Sequence, residues 1–277
     1  MGHHLGRAVT ASVPRPVVEP ALLNGAGART RWTNLGFWKD ATSYPEAAAE
    51  LARRVGKAAK LGPGDVVLDL ACGHGDSLIM WVREFGVAKV VGIEPDPALV
   101  VEVTARIQAL GLGDRIVLRA EKAEWLVPHL VCPGVTAVVC VDAAYHFHTR
   151  TDWLTTLAKD LPKGTRLGLS DLFGSSRARR SKRIRAMLLG AGIPFDNLWS
   201  PQDAEPVMAD AGWDCDRLVR CGPQVFGGFV RWARRSALRL LMRPSQGGWR
   251  ALGTAVAIAV GARRERLEYG IVAARRR

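Results

Sequence analysis

Asp69, Gly73, Gly75 and Glu94 are the residues whose types and spacing point most directly to chemistry. They sit in VVLDLACGHGDS, Val66–Ser77, and in KVVGIE, Lys89–Glu94. The first stretch is an apolar strand that breaks into a two-glycine turn and runs at once into the helix-compatible SLIMWVREF. Glycine lets the backbone approach a ligand because no Cβ stands in the way. A helix start offers unpaired N–H groups. Strand, glycine turn and helix together mark the place where an open α/β sheet holds a nucleotide-like ligand. Glu94 falls 25 positions after Asp69, at the end of the second strand. A carboxylate there can accept hydrogen bonds from both hydroxyls of a ribose.

Other residues narrow the ligand. A dinucleotide fingerprint needs a third glycine where Leu78 stands, and the Gly-Lys-Ser/Thr of a phosphate-cradling loop is missing. The run Asp69-x-Ala71-x-Gly73-x-Gly75 resembles motif I of the class I methyltransferases that use S-adenosylmethionine. Their pattern is acidic-x-Gly-x-Gly-x-Gly, and alanine here takes the first glycine. GIEPDP, around Glu94, resembles their second motif. The resemblance implies S-adenosyl-L-methionine as cofactor, cradled by Asp69, Ala71, Gly73 and Gly75, with Glu94 on its ribose. Relatives carry Asp-Ala after the third strand, near the adenine amino group. RAEKAEWL has Lys122-Ala123 there, which leaves Glu121 as the candidate. Trp125 either covers the adenine or packs in the core. Asp142 is assigned to the same cofactor pocket, with turn capping as its other role.

The fourth strand ends Val141-Asp142-Ala143-Ala144-Tyr145-His146-Phe147-His148, and Asp171 ends the fifth in LGLSDLF. Ligands of an open sheet bind beyond the carboxyl ends of the strands. His146 and Asp171 are therefore the candidate catalytic pair, facing one another across the pocket. Some natural-product methyltransferases that this chain resembles use a His and an Asp from these strand ends. A histidine titrates near neutrality and suits proton removal from a hydroxyl, phenol or carbon acceptor. The loop Asn34–Trp38, reading NLGFW, resembles one that folds over the cofactor in small-molecule methyltransferases. It makes Phe37, Trp38 and Tyr44, with Tyr145, the candidate acceptor-binding residues; stapling of the next helix to the core is the other reading.

DAAYHF lacks the proline pair of nucleic-acid amino-methyltransferases, and the loop has no paired glutamates of the arginine methyltransferase kind. Over about residues 34–173 the chain resembles the ubiquinone/menaquinone, tocopherol and sterol methyltransferases. That implies methyl transfer to a small lipophilic or aromatic acceptor, by in-line displacement. Two other readings stay open: an RNA methyltransferase that uses a basic C-terminal segment, and a partner protein that binds S-adenosylmethionine without catalysis.

The elements that must position these residues follow an α/β alternation. Helices are expected over Pro45–Leu61, Pro97–Leu110 and Asp152–Asp160, and strands over Arg115–Arg119, Val135–Val141 and Thr165–Ser170. The apolar run Val135–Val141 reads as a strand buried on both faces. Trp213–Arg220 and Leu267–Arg275 alternate apolar and polar residues, as terminal antiparallel strands do. The expected fold is a doubly wound, mostly parallel seven-stranded α/β sheet, Rossmann-like. Residues 33–223 and 264–277 form the methyltransferase domain, with 224–263 a basic helical cap inserted between the last two strands. Residues 1–32, rich in Pro, Gly, Ala and Arg, read as an unstructured leader without a secretory signal. They are acid-poor enough to leave organelle targeting open.

A chain of 277 residues with 48% hydrophobic content suits one such domain plus a cap. Its five cysteines show no CxxC or His/Cys spacing. No disulfide scaffold or metal site is expected, and a reducing, cytoplasmic setting is the default. The net charge of +13 is concentrated. Arg177 to Arg185 form one basic block, and twelve arginines follow Gly227, opposed only by Glu265 and Glu268. Arg231, Arg235, Arg239 and Arg243 recur every four residues and fall on one helix face. Such a face suits an anionic membrane surface, nucleic acid, or simple solvation while the helix packs on the core. The expectation is core packing combined with peripheral membrane contact, with nucleic acid the weaker partner. Ala251–Ala262 is apolar for only 12 residues, too short to span a bilayer.

Overall fold

The computed structural model describes residues 18–128, 132–264 and 267–277. Seven strands form one sheet: β1 (Val66–Leu70), β2 (Lys89–Glu94), β3 (Ile116–Ala120), β4 (Ala137–Val141), β5 (Arg166–Gly174), β6 (Trp213–Arg220) and β7 (Leu267–Arg276). Their order is β3-β2-β1-β4-β5-β7-β6. The first five are parallel, and β7 runs antiparallel between β5 and β6. The strand order reverses between β1 and β4. At such a switch point the loops after the two strands part and leave a crevice.

Helices cover both faces of the sheet, and two buried clusters hold them there. On one side lie α1 (Pro20–Asn24), α2 (Tyr44–Ala58), α3 (Asp76–Arg83) and α4 (Pro97–Ala109). On the other lie α5 (Arg150–Asp160) and α8 (Ala204–Asp210). Between β5 and α8 come α6 (Ser176–Arg180) and α7 (Lys182–Gly190). Local chemistry sets the helix starts. Ser43 and Glu46 form a capping box on α2, and Asp96 accepts from the amides of Ala98 and Leu99 at the start of α4. Between β6 and β7 the chain forms α9 (Gly228–Arg235), α10 (Ala237–Leu241) and α11 (Gly248–Arg264). No helix among the described residues is long and apolar enough to cross a membrane.

The N-terminal expectation needs correction from residue 18 onward; residues 1–17 lie outside the described part. Leu22, Leu23 and Trp32 are buried in the core. The Asn24 side chain ties the segment together, donating to Trp32 O at 2.8 Å and accepting from Trp32 N at 3.1 Å. A five-residue helix is too short to leave a periodic signal. Its stability comes from the two leucines and one buried amide.

Candidate functional site

A cavity of about 160 Å³ lies at the switch point. Its wall is the turn Ala71–Ser77, Asp69 at the end of β1, Val141–Ala143 after β4, and Arg31–Asn34. The turn is left-handed at Ala71 (φ 57°), Gly73 (φ 53°) and Gly75 (φ 80°). A Cβ on Gly73 would meet only Thr33 Oγ1, at 4.0 Å, so the space beside it belongs to the cavity. A Cβ on Gly75 would lie 2.5 Å from Val103 Cγ1 on α4. Gly75→Ala is therefore expected to cost about 1–3 kcal/mol through a strained φ and a displaced α4, read as a lowered thermal midpoint.

Three carboxylates, Asp69, Asp76 and Asp142, line this cavity, and a fourth, Glu94, braces its turn from outside the lining. Glu94 Oε2 accepts from Gly73 N at 3.1 Å and Oε1 from Asp96 N at 3.2 Å. Each oxygen keeps further acceptor capacity. Burial pushes its pKa up, against the two backbone amides. Asp69 is fully buried and accepts from Trp81 Nε1 at 2.7 Å, which fastens α3 to β1. Desolvation raises it to about 6. Asp142 is left-handed too (φ 58°), a region that Asp tolerates. It accepts from Leu35 N at 2.7 Å, from the Tyr145 hydroxyl at 2.8 Å and from the Tyr269 hydroxyl. Burial raises it to about 6 as well.

Asp76 binds Arg106 of α4 through both oxygens, at 2.8 and 3.2 Å, and accepts from Arg31 N at 2.9 Å. Arg106 also donates to His74 O and Arg29 O. One guanidinium thus clamps the glycine turn to the N-terminal segment. Arg106, Asp76, Thr33 and Tyr269 are absent from the sequence-based candidates. An Asp directly after Gly75 is a local signal for the clamp. Tyr269 has none, because β7 reaches Asp142 only through the sheet.

Glu121 follows Ala120, the register partner of Glu94, and is half-buried at the sheet edge outside the 160 Å³ cavity. Trp125 is 69% exposed beneath Lys122 Nζ at 4.5 Å, so it does not pack in the core.

A second cavity, of about 1080 Å³, adjoins the first along Thr33, which lines both. Its wall is mostly apolar, with Leu35, Leu172, Leu188, Phe226, Phe229 and Ile258 prominent. Three tyrosines also line it, and each has its hydroxyl proton committed. Tyr44 donates to Asn34 O at 2.6 Å, and Tyr145 and Tyr269 both donate to Asp142. The other polar side chains in the wall are Thr33, His146, Arg250 and Thr254. The His146 ring packs against Tyr145 at a tilt of 49°, with centroids 4.5 Å apart, and its Nδ1 lies 3.4 Å from Gly192 O.

Besides Glu121, three further sequence-based candidates fall elsewhere. Asp171 lines neither cavity. The expected strand ends at Ser170, whereas β5 continues to Gly174 and holds Asp171 opposite Gly270 of β7. Successive strand residues face opposite sides. Ser170 therefore meets Tyr269 and Asp142 N, while Asp171 meets Arg150 of α5 on the far side. The Asp171–Arg150 pair is 1% exposed at each end, and Asp171 also accepts from Leu172 N at 2.8 Å. It is an interior ion pair, and Asp171 does not face His146 across the pocket as the sequence suggests. Phe37 lies under the Arg54 guanidinium at 3.7 Å. Trp38 packs on Tyr44 and Trp232. Neither lines either of these two cavities, and their contacts staple the loop to α2 and α9. Tyr44 and Tyr145 do reach the larger cavity.

The chain has known relatives. A family described as a methyltransferase domain matches residues 41–218. An erythromycin 3''-O-methyltransferase of Saccharopolyspora erythraea is 28% identical over 180 residues, 62% of this chain and 58% of that protein. A protein-lysine N-methyltransferase of Saccharolobus islandicus is 33% identical over 72 residues, 26% of this chain and 45% of that one. The chain thus spans about half the length of these curated relatives. The cyclopropane synthase MmaA2 of Mycobacterium tuberculosis superposes with a TM-score of 0.72 at 16% identity, covering 92% of each chain. A geranyl diphosphate C-methyltransferase of Streptomyces coelicolor A3(2) superposes with a TM-score of 0.68 at 19% identity, covering 94% of this chain and 90% of that one. Both show the same fold.

Proposed function

Because the chain belongs to the methyltransferase-domain family, whose members use S-adenosylmethionine, we propose that it methylates a small lipophilic organic molecule. The observation that carries this reading is the pair of cavities meeting at Thr33, one small and ringed by carboxylates, the other large and apolar. When bound, S-adenosylmethionine supplies an activated methyl group on a sulfonium.

The residues present fit that group. Gly73 leaves room beside the turn, and Ala71 and Gly75 shape it. Asp69 and Asp142 set negative charge in the wall, which favours a cationic ligand. Glu94 is held rigidly by two amides and has acceptor capacity for a ribose diol. Glu121 sits beside it for the base. On the acceptor side, Tyr44 and Tyr145 give shape, and alignment supplies most of the effect on rate. The named reaction of the S. erythraea relative is at oxygen. An oxygen acceptor has a proton to lose, and His146 is the wall residue suited to take it. His146→Ala is expected to lower kcat about 100-fold or more at neutral pH with the KM for S-adenosylmethionine unchanged. Full turnover in that variant would remove the base role.

The carboxylates give a pH dependence with a definite sign. Above about pH 6 Asp142 is ionised and its charge favours the sulfonium; below that value it is neutral. Affinity for S-adenosylmethionine should therefore fall as pH drops through 6. Affinity for S-adenosylhomocysteine, which lacks the sulfonium charge, should change less. Calorimetry of both ligands at several pH values checks this. Equal pH profiles for the two would contradict it.

Incubation with methyl-labelled S-adenosylmethionine and a panel of quinols, long-chain phenols, macrolide alcohols, amines and RNA tests the acceptor class. Label in the organic extract is expected. Label on RNA alone, or none anywhere despite cofactor binding, would overturn the reading in favour of a nucleic-acid enzyme or a non-catalytic partner protein.

A further inference from the structure

The lid of the large cavity has a composition that methyl transfer does not explain. Cavity-lining residues that are also exposed are Thr33, where the two cavities meet, Leu189 and Gly190 at the end of α7 with Ala191 after it, and Arg250, Gly253 and Thr254 on α11. Away from Thr33, the cavity therefore opens between α7 and α11. Around that mouth the surface is apolar. Of twelve large apolar side chains exposed among the described residues, seven belong to α7, α10, α11 and the residue after α10. Leu189 is 78% exposed, Leu238 73%, Met242 70% and Trp249 60%. On α11, Trp249, Gly253, Val256 and Val260 form one exposed stripe, beside the stripe of Arg250, Thr254 and Ala257 that lines the cavity.

The same segments are basic without opposition in sequence. Residues 176–194 carry six Arg or Lys and residues 223–264 carry eight, with no Asp or Glu in either. Arg179 reaches Asp203 across a loop. Arg231, Arg234, Arg235, Arg239 and Arg243 are exposed or half-exposed.

We propose that this face, formed by α7, α10 and α11, docks on an anionic phospholipid bilayer. Leu189, Leu238, Met242 and Trp249 enter the headgroup–acyl boundary, and the arginines meet lipid phosphates. Apolar insertion together with a basic surround is the combination that holds a protein at a membrane without spanning it. A nucleic acid would reward the arginines but not the burial of Leu238 and Met242. A second copy of the chain would bring two acid-free basic faces together and repel. On the reading of the large cavity as the acceptor site, its mouth then opens at the lipid surface, and a lipophilic acceptor enters without crossing water.

The test uses the full chain without cofactor or acceptor, co-sedimented with phosphatidylcholine vesicles that contain either none or about 30 mol% phosphatidylglycerol. Binding at least about tenfold tighter to the anionic vesicles is expected, falling as salt rises from about 0.1 to 0.5 M. The Met242→Ser/Trp249→Ser variant should bind about tenfold more weakly, with an unchanged thermal midpoint because both side chains are exposed. Leu238→Ser supplies an independent second variant. Equal binding to both vesicles, no binding to either, or wild-type binding by these variants would overturn the proposal. So would tighter binding to RNA that the variants leave intact. Labelled methyl transfer, measured separately in detergent, shows whether such a failure touches the enzymatic reading as well.

Discussion

Arg150→Met is expected to destabilise the protein by about 3–5 kcal/mol, because it leaves the Asp171 carboxylate buried and unpaired. Both members of the pair are 1% exposed. Arg150 also donates to Asn197 O and stacks over Trp199 at 3.9 Å, so its removal loosens the segment after α7. Desolvation already pushes the Asp171 pKa upward, and Arg150 is the main force that opposes it. Without the guanidinium the carboxyl must be protonated or the fold must open. The double variant Arg150→Met/Asp171→Leu should recover much of the loss, since an apolar pair of similar volume often replaces a buried ion pair at little cost. Urea titration of the three proteins measures this directly. Methyl transfer by the double variant, assayed well below its unfolding midpoint, should be near that of the wild type. A catalytic Asp171 would instead leave the double variant folded and inactive.

Glu94→Ala is expected to weaken S-adenosylmethionine binding about 100-fold or more. Hydrogen bonds to a charged group contribute about 1.5–3 kcal/mol each, and a ribose diol makes two. The carboxylate is also already oriented by Gly73 N and Asp96 N, so little ordering entropy is lost when a ligand joins it. Removing it frees the Gly73 amide and loosens the turn, which adds to the loss. Glu94→Gln should be milder, about tenfold, since one carbonyl oxygen can still accept. Because Glu94 is half-buried at a strand end, neither change should lower the thermal midpoint much. That separates a binding defect from a folding one.

The small cavity was legible in the sequence because its determinants are local. A strand, a turn with positive φ and a helix start occupy Val66–Ser77, and the next strand ends on Glu94 one βαβ unit later. The large cavity was legible only in part. Tyr145 and His146 follow a strand end and reached the cavity as expected. Asp171 did not, because the end of β5 is set by pairing with β7, nearly 100 residues away, and no local breaker marks it. Phe37 and Trp38 leave both readings open in the sequence, since a loop of aromatics looks the same whether it covers a ligand or a helix. Gln224 O accepts from Trp38 N at 3.0 Å, and Trp232 packs on its ring, so the cap decided the matter. The cap itself, 224–263, was visible as an acid-free stretch between two strand patterns. Where its arginines and exposed apolar residues lie around the cavity mouth is a property of the fold alone.

On the proposed function, the methyl donor lies along the glycine turn with its sulfonium end in the small cavity, and the acceptor lies in the large apolar one. A crystal structure of the complex with S-adenosylhomocysteine tests it most directly. The ribose hydroxyls are expected on Glu94, the amino-acid end in the turn Ala71–Ser77, and the sulfur at the Thr33–Asp142 wall facing the larger cavity. Density for the nucleoside within the 1080 Å³ cavity, or a ribose away from Glu94, would contradict it.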